Sequence, residues 1–102
     1  GYGAAHSHTR RAEIALARLQ ATQGDAAAQQ QLRAWAHYTG SDIEQRKAAW
    51  LAHAYAAERD CRNNPAQARA ELDAVLAQIQ LVLPEGGSLP REIAQIRKTC
   101  SV

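Results

Sequence analysis

The sequence predicts an all-α domain, either a compact antiparallel bundle or a short solenoid of about five helices, with one disulfide. Glycine and proline divide the 102 residues into five segments of helical length. Apolar residues within these segments recur with the 3.6-residue period of a helix face, and no segment alternates with the period of two that is typical of a strand. The only two cysteines stand at the ends of the third and fifth segments.

The first two helices are bounded by capping residues and glycines. Thr9 is predicted to cap a first helix over residues 10–23, which ends at Gly24 because glycine adopts the left-handed conformation without strain. Asp25 is predicted to cap a second helix over residues 26–39, and another glycine follows it. Residues 1–8 are accordingly expected to form a flexible tail before a single helical domain over 9–102.

A capping box marks the start of the third helix. The Ser41 side chain is expected to accept the amide of Glu44, whose carboxylate reaches back to the amide of Ser41, so the helix runs over residues 42–62. For the fourth helix, Asn64 is a cap and Pro65 stands at the first helical position, where its missing N–H costs nothing.

The apolar spacing supports the last two helices. The fourth runs to about Leu83, and its stripe predicts a buried centre at Leu72, Leu76 and Ile79. The fifth is predicted from about Leu89 to the second cysteine, after a proline- and glycine-rich break.

The cysteines predict a disulfide between Cys61 and Cys100, and the alternative is two free buried thiols. Short connections favour antiparallel neighbours, so the third and fifth helices point the same way and both thiols lie at one end. The pairing requires these two helices to touch, with the fourth packed across both. Alanine supplies 23 residues and Phe and Met are absent, so large core residues are few. In the loop-entropy model, closing a loop of about 40 residues adds about 4 kcal/mol to the free energy of unfolding. A core with so few large side chains benefits from such a covalent link.

A weak internal repeat keeps the solenoid alternative open. Residues 31–36 resemble residues 71–76, each in the second helix of a candidate hairpin. Alanine-rich amphipathic helices also align by chance, and the aromatic and small-residue pattern of tetratricopeptide repeats is not met.

Charge and composition restrict the class of partner and the compartment. The net charge is +2 with both signs interspersed and no basic stripe, which disfavours nucleic acid as a partner. No apolar run approaches the roughly 18 residues of a membrane span. The chain contains no Met and starts at Gly1, so we expect a processed or trimmed product, which is compatible with removal of a signal peptide. With the predicted disulfide, this indicates a periplasmic or secreted protein.

Motifs for catalysis or metal binding are not found, and we expect no catalytic residues, no metal site and no cofactor. His6 and His8 could bind a metal weakly, but they lie in the predicted tail. No cysteine and histidine spacing matches a zinc site, and no phosphate loop or nucleophile elbow occurs.

The aromatic residues are the remaining candidates for function. They predict a groove for a partner helix or peptide, with two histidines at its rim that could make binding pH-sensitive. The alternative is that both tryptophans fill the core in place of the missing Phe. The predicted groove consists of Trp35, Tyr38, Trp50 and Leu51, and its rim of His37 and His53.

By elimination, we expect a non-enzymatic, exported domain that binds another protein in an assembly, secretion-accessory or adaptor role. One alternative is an inhibitor or immunity protein that blocks a secreted enzyme through a rigid exposed wedge. Another is a carrier of a small apolar ligand, held in a dry cavity between alanine-rich helices.

Overall fold

A computed structural model describes the backbone of residues 2–84 and 87–100 and the side chains of residues 10–84 and 87–100. Within these ranges the chain forms five α-helices and no strand, which confirms the all-α fold class. The helices are α1 (Tyr2–Thr22), α2 (Ala26–Trp35), α3 (Ile43–Asp60), α4 (Pro65–Val82) and α5 (Ser88–Thr99).

Polar caps start three of the helices. The carboxylate of Asp25 and the side-chain oxygen of Asn64 accept backbone amides of the first turns of α2 and α4, as predicted. The predicted cap of α3 is wrong, because Asp42 rather than Ser41 occupies the N-cap position. The Asp42 carboxylate accepts the amide of Glu44 at 3.0 Å. A carboxylate at this position also compensates the positive end of the helix dipole.

The predicted start of α1 is also wrong. The helix begins at Tyr2 rather than at residue 10, so Thr9 lies inside it and does not cap it. Gly24 follows the helix with a φ of +99°, the left-handed conformation predicted for it. The expected mobility of the first eight residues stays a prediction.

Helix α2 ends at Trp35, four residues before the predicted end at Thr39, because the chain turns to place the Tyr38 ring against Gly40. A Cβ atom at Gly40 would lie 2.2 Å from the Tyr38 hydroxyl oxygen. The same hydroxyl accepts the backbone amide of Asp42 at 3.2 Å. Gly40 is therefore required by the close approach of the ring and does not end a helix with positive φ.

Helix α3 is the central helix of the fold. It packs against each of the other four helices, whereas α1 and α2 contact neither α4 nor α5 through their described backbones. The helices thus form two three-helix groups that share α3, the neighbour order expected of a short solenoid. Residues around much of α3 are buried, and alanines predominate among them: Ala48, Ala49, Trp50, Ala52, Ala54, Tyr55, Ala56 and Ala57.

Branched side chains from the outer helices pack around this centre. Leu72 and Ile79 of α4 are buried as predicted, but Leu76 is only half-buried and packs against the edge of the core. Helix α5 buries Ile93 and Ile96. The largest fully buried side chains are Ile14, Leu32, Leu72, Val75, Ile79 and Ile93.

The disulfide joins the C-terminal ends of α3 and α5. Cys61 and Cys100 are bonded with their Cα atoms 5.4 Å apart, so the predicted pairing is confirmed. The two helices pack together and α4 contacts both, as the pairing requires.

Candidate functional site

A cleft of about 510 Å³ opens between the turn that follows α2, one side of α3 and the end of α4. It contains four of the six residues of the predicted groove and its rim: His37, Tyr38, Trp50 and His53. The remaining lining residues are Ala36, Thr39, Arg46, Ala49, Gln78, Leu81 and Val82.

Trp50 contributes an indole that is held from two sides. Its Nε1–H donates to the Gln78 side-chain oxygen of α4 at 3.2 Å. The Arg46 guanidinium lies over the ring, 5.4 Å from its centroid, in a cation–π contact. Because Trp50 is only 5% exposed, it belongs to the core and supplies a fixed wall of the cleft rather than a freely exposed contact.

The turn after α2 supplies the opposite wall. Tyr38 is half-buried, and its ring is fixed by the contact with Gly40 and by the hydrogen bond from Asp42. His37 is exposed beside it. The aromatic wall is thus in place before any partner arrives, which lowers the entropic cost of binding.

Leu81 is a site residue that the sequence reasoning missed. It lies at the end of α4 and is 85% exposed, the most exposed of the large apolar side chains in the described part of the chain. Val82 beside it is half-buried. The available signal was that Leu81 falls two residues after Ile79, outside the 3.6-residue stripe that packs into the core.

His53 connects the cleft to a group of charged side chains from three helices. Its Nε2 lies 3.2 Å from Oε1 of Glu71, and the Arg33 guanidinium of α2 reaches both Glu71 and Asp60. Hydrogen bonding from Arg33, followed by that from His53, lowers the pKa of the Glu71 carboxyl below its usual value, although burial opposes the shift. This group fixes α2, α3 and α4 relative to one another beside the cleft.

The lining contains positive but no negative side chains. Arg46 is its permanent cation, and His37 and His53 become cationic when protonated. Within the described part of the chain, no carboxylate forms an ion pair with Arg46, whose contact is the Trp50 ring. Five other arginines do form ion pairs with carboxylates: Arg10, Arg11, Arg18, Arg33 and Arg97.

Two residues of the predicted groove lie elsewhere. Trp35 is half-buried in a separate groove between α1 and α2, where the Arg10 guanidinium lies 5.1 Å from its ring centroid. Leu51 faces another cleft, lined also by Leu83 and Leu89. The grouping of these two with Tyr38 and Trp50 is therefore wrong.

The described residues contain no cluster of three or more His, Cys, Asp or Glu side chains that could hold a metal ion. The side chains of His6 and His8 lie outside the described part of the chain. Among the helices described, none is both long and apolar enough to cross a membrane.

Comparison with known proteins gives no relative from which a function could be transferred. A scan against protein-family models found no match, and neither the curated proteins nor the solved structures gave one.

Proposed function

We propose that this chain is a non-enzymatic protein-interaction domain that receives a segment of a partner protein in the cleft between the α2–α3 turn and α4. The observation that supports this best is the exposure of Leu81 at the edge of an aromatic cleft. A leucine that is 85% exposed contributes nothing to the core, but covering it with a partner would contribute about 1.5–3 kcal/mol.

The composition of the cleft also supports a protein partner. Tyrosine and arginine are among the residues that dominate the energetics of protein interfaces, and the cleft offers Tyr38 and Arg46 against the fixed wall of Trp50. These side chains are held by contacts within the domain, so a partner segment would meet a largely rigid surface. A volume of about 510 Å³ accommodates a few side chains of a peptide rather than a whole domain face.

The proposed role is that of an assembly factor, secretion accessory or adaptor in an oxidising compartment, periplasmic or secreted. The Cys61–Cys100 disulfide supports this location, because such bonds form and persist outside reducing compartments. Labelling of free thiols in rapidly acid-quenched cells tests it. Two reactive thiols per chain in cells that produce the protein naturally would contradict the location.

Site-specific photo-crosslinking tests the cleft itself. A photoreactive amino acid replaces Leu81 in one variant and Leu19 of α1 in a matched control, in cells that contain the natural partners. Leu19 is 61% exposed and does not line the cleft, so neither change should alter folding. We expect a discrete crosslinked protein from position 81 that is absent from position 19, and Leu81→Ser should weaken its binding.

The same experiment separates the roles that a binding domain could have. A captured enzyme that loses activity in the complex would identify an inhibitor, whereas a captured structural or secretion component would identify an adaptor. Equal crosslinking from both positions, or none from position 81, would contradict the proposed site. A bound lipid or other apolar molecule in a native mass spectrum would instead indicate a carrier.

A further inference from the structure

We infer that the cleft recognises a peptide segment in which the side-chain carboxylate of an Asp or Glu lies close to a large apolar residue, with Arg46 binding the carboxylate. The inference rests on the proposed protein-binding function and names the chemistry of the partner segment.

Arg46 is positioned to bind a carboxylate, but no carboxylate of the described chain pairs with it. Its guanidinium lies over the Trp50 ring, 5.4 Å from the ring centroid, and no carboxylate among the described residues uses its N–H donors. An arginine that lies on an aromatic ring in this way can donate two parallel hydrogen bonds to an incoming carboxylate. The ring contact also reduces the entropy that the side chain loses on binding.

The other lining residues favour an anionic over a cationic segment. No Asp or Glu lines the cleft, so an incoming carboxylate meets no like charge on its walls. The Glu71 carboxylate, which contacts the lining residue His53, is also bonded to Arg33, and the Asp42 side chain caps α3. A lysine or arginine in the segment would meet the positive charge of Arg46 instead, an unfavourable juxtaposition.

Apolar groups beside Arg46 set the second requirement. Trp50, Leu81 and Val82 line the same cleft, and Leu81 is the exposed side chain that a partner would cover. Because the cleft measures only about 510 Å³, one segment must supply both groups within a few residues. A segment with an acidic residue within about one helical turn of a Leu, Ile, Phe or Trp satisfies this spacing.

Selection from a library of random dodecapeptides tests the inference. The bait is the oxidised full chain carrying Trp35→Phe, so that Trp50 is the only tryptophan and reports occupancy of the cleft by fluorescence. We expect selected peptides to contain an Asp or Glu within four residues of a large apolar residue. In titrations of a selected peptide, Arg46→Gln should weaken binding about tenfold or more, and Arg46→Lys less.

Two controls test whether Arg46 acts from within the cleft and whether it pairs with the peptide carboxylate. Arg91→Gln removes an exposed arginine of α5 that does not line the cleft, and it should leave affinity unchanged. Replacing the peptide's Asp or Glu by Asn or Gln should match the loss caused by Arg46→Gln, and the two losses should not add.

Three outcomes decide the matter. If binding depends on Leu81 but neither on Arg46 nor on a peptide carboxylate, the acidic requirement is overturned and the protein-binding cleft survives. If selected peptides bind equally well to Leu81→Ser and leave Trp50 fluorescence unchanged, both the cleft and the inference fail. Selection that enriches no sequence overturns the cleft as a peptide site, provided that circular dichroism shows the bait to be folded.

Discussion

Removing the Cys61–Cys100 disulfide should lower the free energy of unfolding by about 4 kcal/mol. The two cysteines are 39 residues apart in sequence, and the bond closes this loop in the unfolded chain. In the loop-entropy model, closing about 40 residues contributes about 4 kcal/mol at 25 °C. This is a large fraction of the roughly 5–15 kcal/mol that small domains possess.

Urea denaturation of the oxidised protein, the reduced protein and a Cys61→Ala/Cys100→Ala variant measures this loss. With a slope of about 1–1.5 kcal/mol per M urea, the midpoint should fall by about 3 M. Tryptophan fluorescence reports on α2 and α3, where Trp35 and Trp50 lie, whereas far-ultraviolet circular dichroism reports on all helices, α5 included. The two signals should change together, because Ile93 and Ile96 join α5 to the shared core.

Two results would refute this reasoning. A loss below about 1 kcal/mol would mean that the unfolded chain already brings the two ends of the loop together. A circular dichroism transition that precedes the fluorescence transition in the reduced protein would mean that α5 detaches alone. The bond would then hold one helix in place rather than stabilise the whole domain.

Two further predictions concern α4. Leu72→Ala, at a fully buried position, should lower the free energy of unfolding by about 2–5 kcal/mol. Leu76→Ala, at the half-buried edge of the core, should lower it clearly less. Equal losses in urea denaturation would contradict this difference in burial. Glu71→Gln should lower stability by about 1 kcal/mol near pH 7, since it weakens the contacts with Arg33 and His53. Because the folded-state pKa of Glu71 is lowered, its contribution is present above the usual glutamate pKa and is lost as the pH falls through the lowered value. The difference in stability between the wild type and this variant should therefore shrink with acidification, and a constant difference between pH 7 and pH 3 would contradict the assignment.

The features of the fold that the sequence predicts are those with local or covalent signals. Asp25 before an alanine run, Asn64 before Pro65, and two cysteines at helix ends each have one dominant physical interpretation. The start of α1 was mispredicted because threonine is a common capping residue. No Gly or Pro lies between Gly3 and Thr9 to interrupt a helix, and the helix includes Gly3 itself. A threonine that no Gly or Pro closely precedes can lie inside a helix as well as at its start.

The central position of α3 and the composition of the cleft have no local signal. Alanine contributes little to an apolar stripe, so a helix buried by alanines resembles a surface helix in the sequence. Trp35 and Tyr38 were expected on one face because the second helix was predicted to continue to Thr39. The earlier end of α2 separates them into two clefts. The turn after Trp35, in which the Tyr38 ring lies against Gly40, produces this difference, and the apolar spacing gives no sign of it.

The buried alanines of α3 also determine which positions of the protein tolerate amino-acid substitution. Ala52, Ala54, Ala56 and Ala57 have no exposed surface, and four helices pack against the helix that contains them. A larger side chain at any of these positions must displace a neighbouring helix, because a close-packed interior offers no space for added methyl groups. In most domains the bulky core residues are the ones least open to substitution. Here the smallest side chains limit the mutability of the molecule, and variation is expected to concentrate on the outer faces of the four surrounding helices.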